Sequence, residues 1–300
     1  MAGMASAAPK HSFRSVLSDY IALTKPRIIL LLVVTALGSM FFAARGLPSL
    51  SAMVFVLVGG SLAAGGANAL NHYLDRDIDE RMSRTRRRPL PGRRIEPRQA
   101  FIYGIVLNVV AFFLLAIWVN LLSALLTVSA TLFYAIVYTL WLKRSTTQNI
   151  VIGGAAGAIP PMVGWAAVTG TLGLPALYLF AIVFFWTPPH FWALSLLIQR
   201  DYEQAGVPML PVVRGVPETA RSILLHAAIL VMITVLFYTL GKAGPIYLGS
   251  ALALGAWFLA LSVRLLRLQT IKAARSLYLF SLVYLAALFL AIAVDGSLLA

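Results

Sequence analysis

A chain of 300 residues that is 60% hydrophobic and only 11% charged, with a mean hydropathy of +0.88, has the composition of a polytopic membrane protein rather than a soluble domain. The net charge of +14 would suit a nucleic-acid binder only if basic residues covered a soluble surface, and here they are confined to gaps between apolar runs. The absence of cysteine excludes disulfides, thiolate metal sites and cysteine nucleophiles, and the four histidines (His11, His72, His190 and His226) have no metal-binding spacing among them.

Residues 1–27 are small and polar with Lys10, Arg14, Asp19, Lys25 and Arg27, which is too charged for a signal peptide and reads as a cytoplasmic segment. The apolar run 28–44 is then a retained first span. Further runs at 51–70, 101–119, 121–142, 150–168, 174–198, 222–240, 247–263 and 277–294 bring the count to nine, each near the roughly 20 residues a bilayer requires. Their length, without period-two alternation, predicts helices rather than barrel strands. The fold class expected is an all-α polytopic membrane protein, with one domain over 28–294 and a short external tail at 295–300.

Charge placement tests the count. With the N-terminus inside, the segments 1–27, 71–100, 143–149, 199–221 and 264–276 hold 22 of the 24 Lys and Arg residues, leaving only Arg45 and Lys242 outside. A miscounted span would scramble this bias. Gly59, Gly60, Gly65, Gly66, Gly153, Gly154 and Gly157 predict close helix packing in spans two and five, while Pro160-Pro161 and Pro188-Pro189 are expected to break spans five and six.

The densest polar stretch follows span two: N-A-L-N-H-Y-L-D-R-D-I-D-E-R-M-S-R-T-R-R-R-P-L-P-G, residues 68–92, with four of the ten acidic side chains. Helical steps of four place Asn71, Asp75 and Asp79 on one face with Asn68 beside them, and point Asp77 away. Amide and carboxylate oxygens in that row suit a divalent cation such as Mg²⁺. The alternative for Asp75 and Asp79 is ordinary interfacial pairing with nearby arginines. Arg84, Arg86, Arg87 and Arg88 can grip phosphate as bidentate forks, or serve as a topology determinant. Lys143 and Arg144 add charge on the same side at the end of span four. His72 fits equally a donor behind the metal ligands or an interfacial residue.

Span six ends similarly, in Q-R-D-Y-E-Q-A-G-V-P-M-L-P. Asp201 stands four spans after Asp75 and returns to the same side, which suggests a parallel repeat of four spans plus a ninth. Two acidic clusters on one rim could clamp a diphosphate through metal. Deeper in span six, T-P-P-H-F-W puts His190 11 residues before Asp201. A histidine at such depth is either a functional group or one hydrogen-bonded to a neighbouring helix.

The row Asn71, Asp75, Asp79 followed by R-T-R-R-R-P-L resembles the first signature of the UbiA-type intramembrane prenyltransferases. D-R-D-I-D, K-R-S-T-T-Q-N-I-V-I-G-G-A-A-G-A-I-P-P, T-P-P-H-F-W and D-Y-E-Q-A-G-V-P-M-L-P are similar to the branch that farnesylates protohaem IX. The resemblance runs from T-K-P-R at residues 24–27 into the last third of the chain. It implies nine helices around a central cavity, with farnesyl diphosphate held by Mg²⁺ and haem B as the acceptor. It also implies hand-over of the product to a haem A synthase or to terminal oxidase assembly. Carried onto this sequence, it makes Asn71, Asp75, Asp79 and Asp201 metal ligands, and gives Arg84, Arg88, Lys143 and Arg144 to the diphosphate. His190 is a candidate for positioning haem. The family's second motif often carries a further carboxylate four residues on, where this chain has Ala205, so Glu203 substitutes or the second cluster has one carboxylate. Rival readings are a prenyltransferase acting on an aromatic or quinone-precursor acceptor, and an ion-coupled transporter. Against the latter, the carboxylates lie at one rim rather than at the midplane.

Overall fold

The structure, a computed structural model, describes residues 13–241 and 243–298. Lys242, one of the two basic residues expected on the far side, lies outside the described residues, as does His11. Among the described residues, nine helices are long and apolar enough to cross a membrane. In chain order they are span one (Pro26–Ala44), two (Leu50–Leu74), three (Pro97–Trp118), four (Leu121–Ser145), five (Asn149–Thr169), six (Leu174–Leu197), seven (Leu210–Tyr238), eight (Pro245–Leu268) and nine (Ile271–Leu298). They correspond one to one with the nine apolar runs.

Three boundaries differ in ways that matter. Span two continues to Leu74 and carries Asn71 and His72 with it. Span seven is helical from Leu210, but it is kinked at Gly215 (φ 77°, ψ 177°), with Pro217 just beyond the kink. Only glycine adopts that backbone at little cost. Span nine runs to Leu298 and takes in Asp295, which is buried where the sequence suggested an external tail.

A further helix, Phe13–Thr24, precedes span one. Phe13, Leu17 and Ile21 recur every four residues and stay exposed, while Leu23 is fully buried. This is the pattern of a helix lying in an interface with one apolar stripe turned outward. Asp19 is bonded by Arg94 at 3.0 Å and Tyr20 meets Tyr103 edge to face, which ties the helix to the rim where the basic residues gather.

Small residues set the packing, as expected for helices with no water to drive them together. A Cβ on Gly66 would lie 2.7 Å from the Gly104 carbonyl, and one on Gly164 would lie 2.1 Å from the Ala36 carbonyl. Span two therefore rests on span three, and span five on span one, nearly backbone to backbone. Gly60 and Gly157 instead face open space. The expected breaks at the proline pairs are absent, since spans five and six are continuous helices through Pro160-Pro161 and Pro188-Pro189. Each proline removes one N–H and crowds one carbonyl, but packing by neighbouring helices holds the helical course.

Spans two and six end alike in the backbone. Span two ends at Asp75 (φ −93°, ψ 8°) and is followed by the short helix Arg76–Arg81. Span six ends at Ile198 (φ −122°, ψ 29°) and is followed by the equally short Gln199–Gln204.

Candidate active site

The backbone break at Asp75 does not scatter the polar row. The Asp79 amide still donates to the Asp75 carbonyl at 2.8 Å, continuing the four-residue step. Asn68, Asn71, Asp75 and Asp79 are all buried, whereas Asp77 is exposed. Asn68 donates to the Thr24 carbonyl at 2.9 Å and so holds span two to the end of the Phe13–Thr24 helix, just before span one. Asn71 Nδ2 donates to Asp75 Oδ2 at 2.7 Å and lies 3.2 Å from Thr139 Oγ1. Thr139 belongs to a widened turn: from Phe133 to Leu142 span four winds with i→i+5 bonds, and the Thr139 hydroxyl itself donates to the Tyr134 carbonyl. Such wide turns re-aim side chains, and this one ends at Lys143.

Cations close around the row. Lys143 forms an ion pair with Asp75 Oδ2. Arg88, half-buried among otherwise exposed arginines, is 2.9 Å from both oxygens of Asp79. The buried Thr85 hydroxyl donates to the Asp79 carbonyl at 2.8 Å, which pins the loop bearing Arg88. Lys25 is the residue the sequence reading missed, taken there as one charge of a polar segment. Its Nζ donates to Asn71 Oδ1 at 2.8 Å, and burial, reinforced by Arg88, lowers its pKa to about 7. Its left-handed backbone (φ 51°, ψ 60°) is costly for a residue with a Cβ. The signal in the sequence was a lysine directly before the proline that opens span one.

The two remaining diphosphate candidates sit further out. Arg144 donates to both oxygens of Asp77 at 2.7 and 2.8 Å and to the Leu74 carbonyl at 2.9 Å. It stands 3.8 Å from Asp75 Oδ1. The hydrogen bonds from Arg144 hold the Asp77 carboxyl down to about 2. Arg84 is exposed, within electrostatic reach of Tyr202.

Across the rim, Asp201 accepts from the Ser83 hydroxyl at 2.6 Å and from its amide at 3.2 Å. Ser83 thus links the loop after the first cluster to the second, a connection no spacing rule suggested. Tyr202 is buried beside Asp201 and also feels Asp75, Arg84 and Arg88; burial pushes its phenol up to about 12. Glu203 is exposed. Two positions along a helix is 200° around it, so Glu203 faces away from the side that Asp201 presents.

His190 lies about two turns inside the end of span six. Its ring stacks on Trp186 with centroids 4.2 Å apart, and Nδ1 is 2.7 Å from the Ser281 hydroxyl of span nine. His72 is buried, not interfacial. Neither ring nitrogen has a hydrogen bond, and Nδ1 is 3.6 Å from Asp79 Oδ2.

Among the described residues, no three His, Asp or Glu side chains converge closely enough to hold a metal alone. Asp75 and Asp79 are instead clasped by Lys143 and Arg88. The donor set nonetheless fits a hard cation that brings phosphate oxygens with it. The ligand candidates are all oxygens, and Asp75 Oδ1 is buried without a hydrogen bond. Buried carboxylate oxygens are seldom left so.

The sequence profile of the UbiA prenyltransferase family matches residues 31–292. A protoheme IX farnesyltransferase from Gloeobacter violaceus is 53% identical over 281 residues, 93% of this chain and 92% of that one. One from Symbiobacterium thermophilum is 51% identical over 282 residues, 93% and 94% of the two chains. A Roseiflexus relative of the same description is 52% identical over 281 residues, but the match spans only 53% of its length. Among solved structures, a digeranylgeranylglyceryl phosphate synthase superposes with a TM-score of 0.77 at 18% identity, covering 94% of this chain and 99% of that one. A UbiA homologue from Archaeoglobus fulgidus bound to DMAPP and Mg²⁺ has a TM-score of 0.68 at 18% identity, covering 93% and 99%. The chain belongs to the UbiA prenyltransferase family.

Proposed function

We propose that this chain transfers the farnesyl group of farnesyl diphosphate to a vinyl group of haem B, releasing diphosphate and giving haem O. The observation that carries it is the buried row Asn71, Asp75 and Asp79, ringed by Lys25, Lys143 and Arg88 at one end of an apolar bundle. That arrangement suits a diphosphate head held at the rim with its hydrocarbon tail among the helices. Relatives near 50% identity that carry the farnesyltransferase description supply the acceptor.

Asn71, Asp75, Asp79 and Asp201 are the metal ligands in this reading, with Mg²⁺ as cofactor. Bound there, it neutralises the diphosphate and makes it a better leaving group. Arg88 and Lys143 exchange their carboxylate partners for phosphate oxygens, joined by Lys25 and, from the rim, Arg84 and Arg144. The allylic C–O bond breaks with its electron pair leaving on diphosphate. The vinyl π electrons form the new C–C bond, and water then adds to the resulting cation and loses a proton, leaving the hydroxyl of the hydroxyethylfarnesyl chain. Apolar walls keep water from the allylic cation until the carbon bond has formed. His190 positions the haem.

In this reading the chain lies in the cell membrane with this rim on the cytoplasmic side, which the bias of its basic residues supports. Its product passes to a haem A synthase or to terminal oxidase assembly. The test is to incubate purified protein with haem B, farnesyl diphosphate and Mg²⁺ and to weigh the porphyrin. Gain of one farnesyl and one hydroxyl is expected. No gain on haem, with prenylation of an aromatic acid offered in its place, would transfer the assignment to the other acceptor class.

A further inference from the structure

The side chains around His190 have a hydrogen-bond logic that fixes more than position. The Ser281 hydroxyl owns one proton and donates it to the Tyr278 carbonyl at 2.6 Å, an oxygen that can only accept. Its 2.7 Å contact with His190 Nδ1 must then run the other way, with Nδ1–H donating to Oγ. In a neutral imidazole this leaves the lone pair on Nε2. Nε2 has no hydrogen-bond partner among the described residues, and it is not among the buried atoms sealed from solvent. Ser281 is itself anchored, since the Trp186 indole donates to its carbonyl at 2.7 Å. The imidazole is steadied by Trp186, stacked at 4.2 Å and 17°, and by the Tyr278 ring at 5.1 Å and 31°. Trp186 and His190 lie one helical step of four apart on span six; Tyr278 and Ser281 lie one step of three apart on span nine.

A histidine that merely joined two helices would gain by using both nitrogens. This one uses one and holds the other bare, on a ring gripped by aromatic side chains. Metal-binding histidines are mounted in this way, with the non-ligating N–H given to a fixed acceptor. We propose that Ser281 is the positioning residue that keeps the proton on His190 Nδ1, so that Nε2 is presented as an axial ligand to the iron of the haem acceptor. The proposal rests on the haem-farnesylating reading above.

The first measurement needs no haem. Protein labelled with ¹⁵N in its histidine rings, in lipid nanodiscs, is examined by NMR, with the His190 signals assigned by their loss in His190→Gln. The neutral Nδ1–H form is expected in the wild type. Ser281→Ala should shift His190 to a mixture of both tautomers, and Ser281→Thr should return it, because a threonine hydroxyl on a helix can make the same bonds. The second measurement is resonance Raman of the ferrous haem complex. An iron–histidine stretch is expected in the wild type, lost in His190→Gln and reduced severalfold in Ser281→Ala. An Nε2–H tautomer in the wild type, or an unchanged tautomer in Ser281→Ala, would overturn the role given to Ser281. A wild-type complex with no iron–histidine stretch would overturn ligation; farnesylated product from that sample would show that the transferase reading still holds. The expected tautomer and stretch without any product would sink the transferase reading instead. Should Ser281→Ala fail to fold, the two wild-type measurements decide the matter.

Discussion

Lys25 shows what one residue can do at the junction of two helices. Its left-handed backbone turns the amphipathic helix into span one and aims the ammonium at Asn71 Oδ1. A charge-assisted hydrogen bond contributes about 1.5–3 kcal/mol. Lys25→Ala should therefore raise KM for farnesyl diphosphate by about 10- to 100-fold, read by steady-state kinetics; an unchanged KM would remove Lys25 from the cradle. The three aspartates should separate. Asp75→Asn, which weakens a proposed metal ligand and leaves Lys143 without its partner, is expected to lower kcat/KM by about 10²–10³-fold, the range for losing one preorganised electrostatic group. Asp77→Asn affects a half-exposed pair with Arg144, worth about 1 kcal/mol at most, and should lower it no more than about fivefold. Equal losses in the two variants would break the helical-face argument.

At the scale of elements, the site depends on helices that are interrupted or rewound where they reach the rim. Spans two and six each stop at one non-helical residue and restart as a six-residue helix, while span four widens before Lys143. These deviations bring Thr139 and Lys143 to the first cluster and leave Asp201 free to meet Ser83. The packing beneath is rigid. Gly164→Ala would drive a methyl into the Ala36 carbonyl, which belongs to backbone and cannot rotate aside. Overpacking of this kind costs about 1–3 kcal/mol, so the melting temperature in detergent should fall. An unchanged melting temperature would mean that spans one and five can separate freely.

Over the whole molecule, the two ends of the bundle have different tasks. The basic rim carries the proposed chemistry, and the far end carries a structural charge. Asp295 is buried and accepts from the Tyr247 amide at 2.6 Å, at the first turn of span eight. This caps one helix with a carboxylate from another, and it opposes the positive end of the span-eight dipole. Asp295→Ala should cost about 1–2 kcal/mol of stability, as loss of a helix cap does, with KM for farnesyl diphosphate unchanged. A raised KM with no loss of stability would contradict that separation of tasks.

Much was legible in the sequence because lipid imposes a strict rule: a spanning chain must satisfy its own backbone, so long apolar runs have to be helices. The nine helices follow from that rule, the shared face of Asn71, Asp75 and Asp79 from helix periodicity, and the orientation from the one-sided basic bias. The parts decided by tertiary structure are those that depend on which helices meet. Lys25 becomes a site residue only because span one lies against span two, and Arg144 is drawn onto Asp77 by the ends of spans two and four. The prolines fail to break their helices because neighbours support them. Asp295 is a buried cap because span nine runs on past span eight. Local periodicity gives each residue a face, but only packing determines what that face touches, and with it the proton that Ser281 leaves on His190.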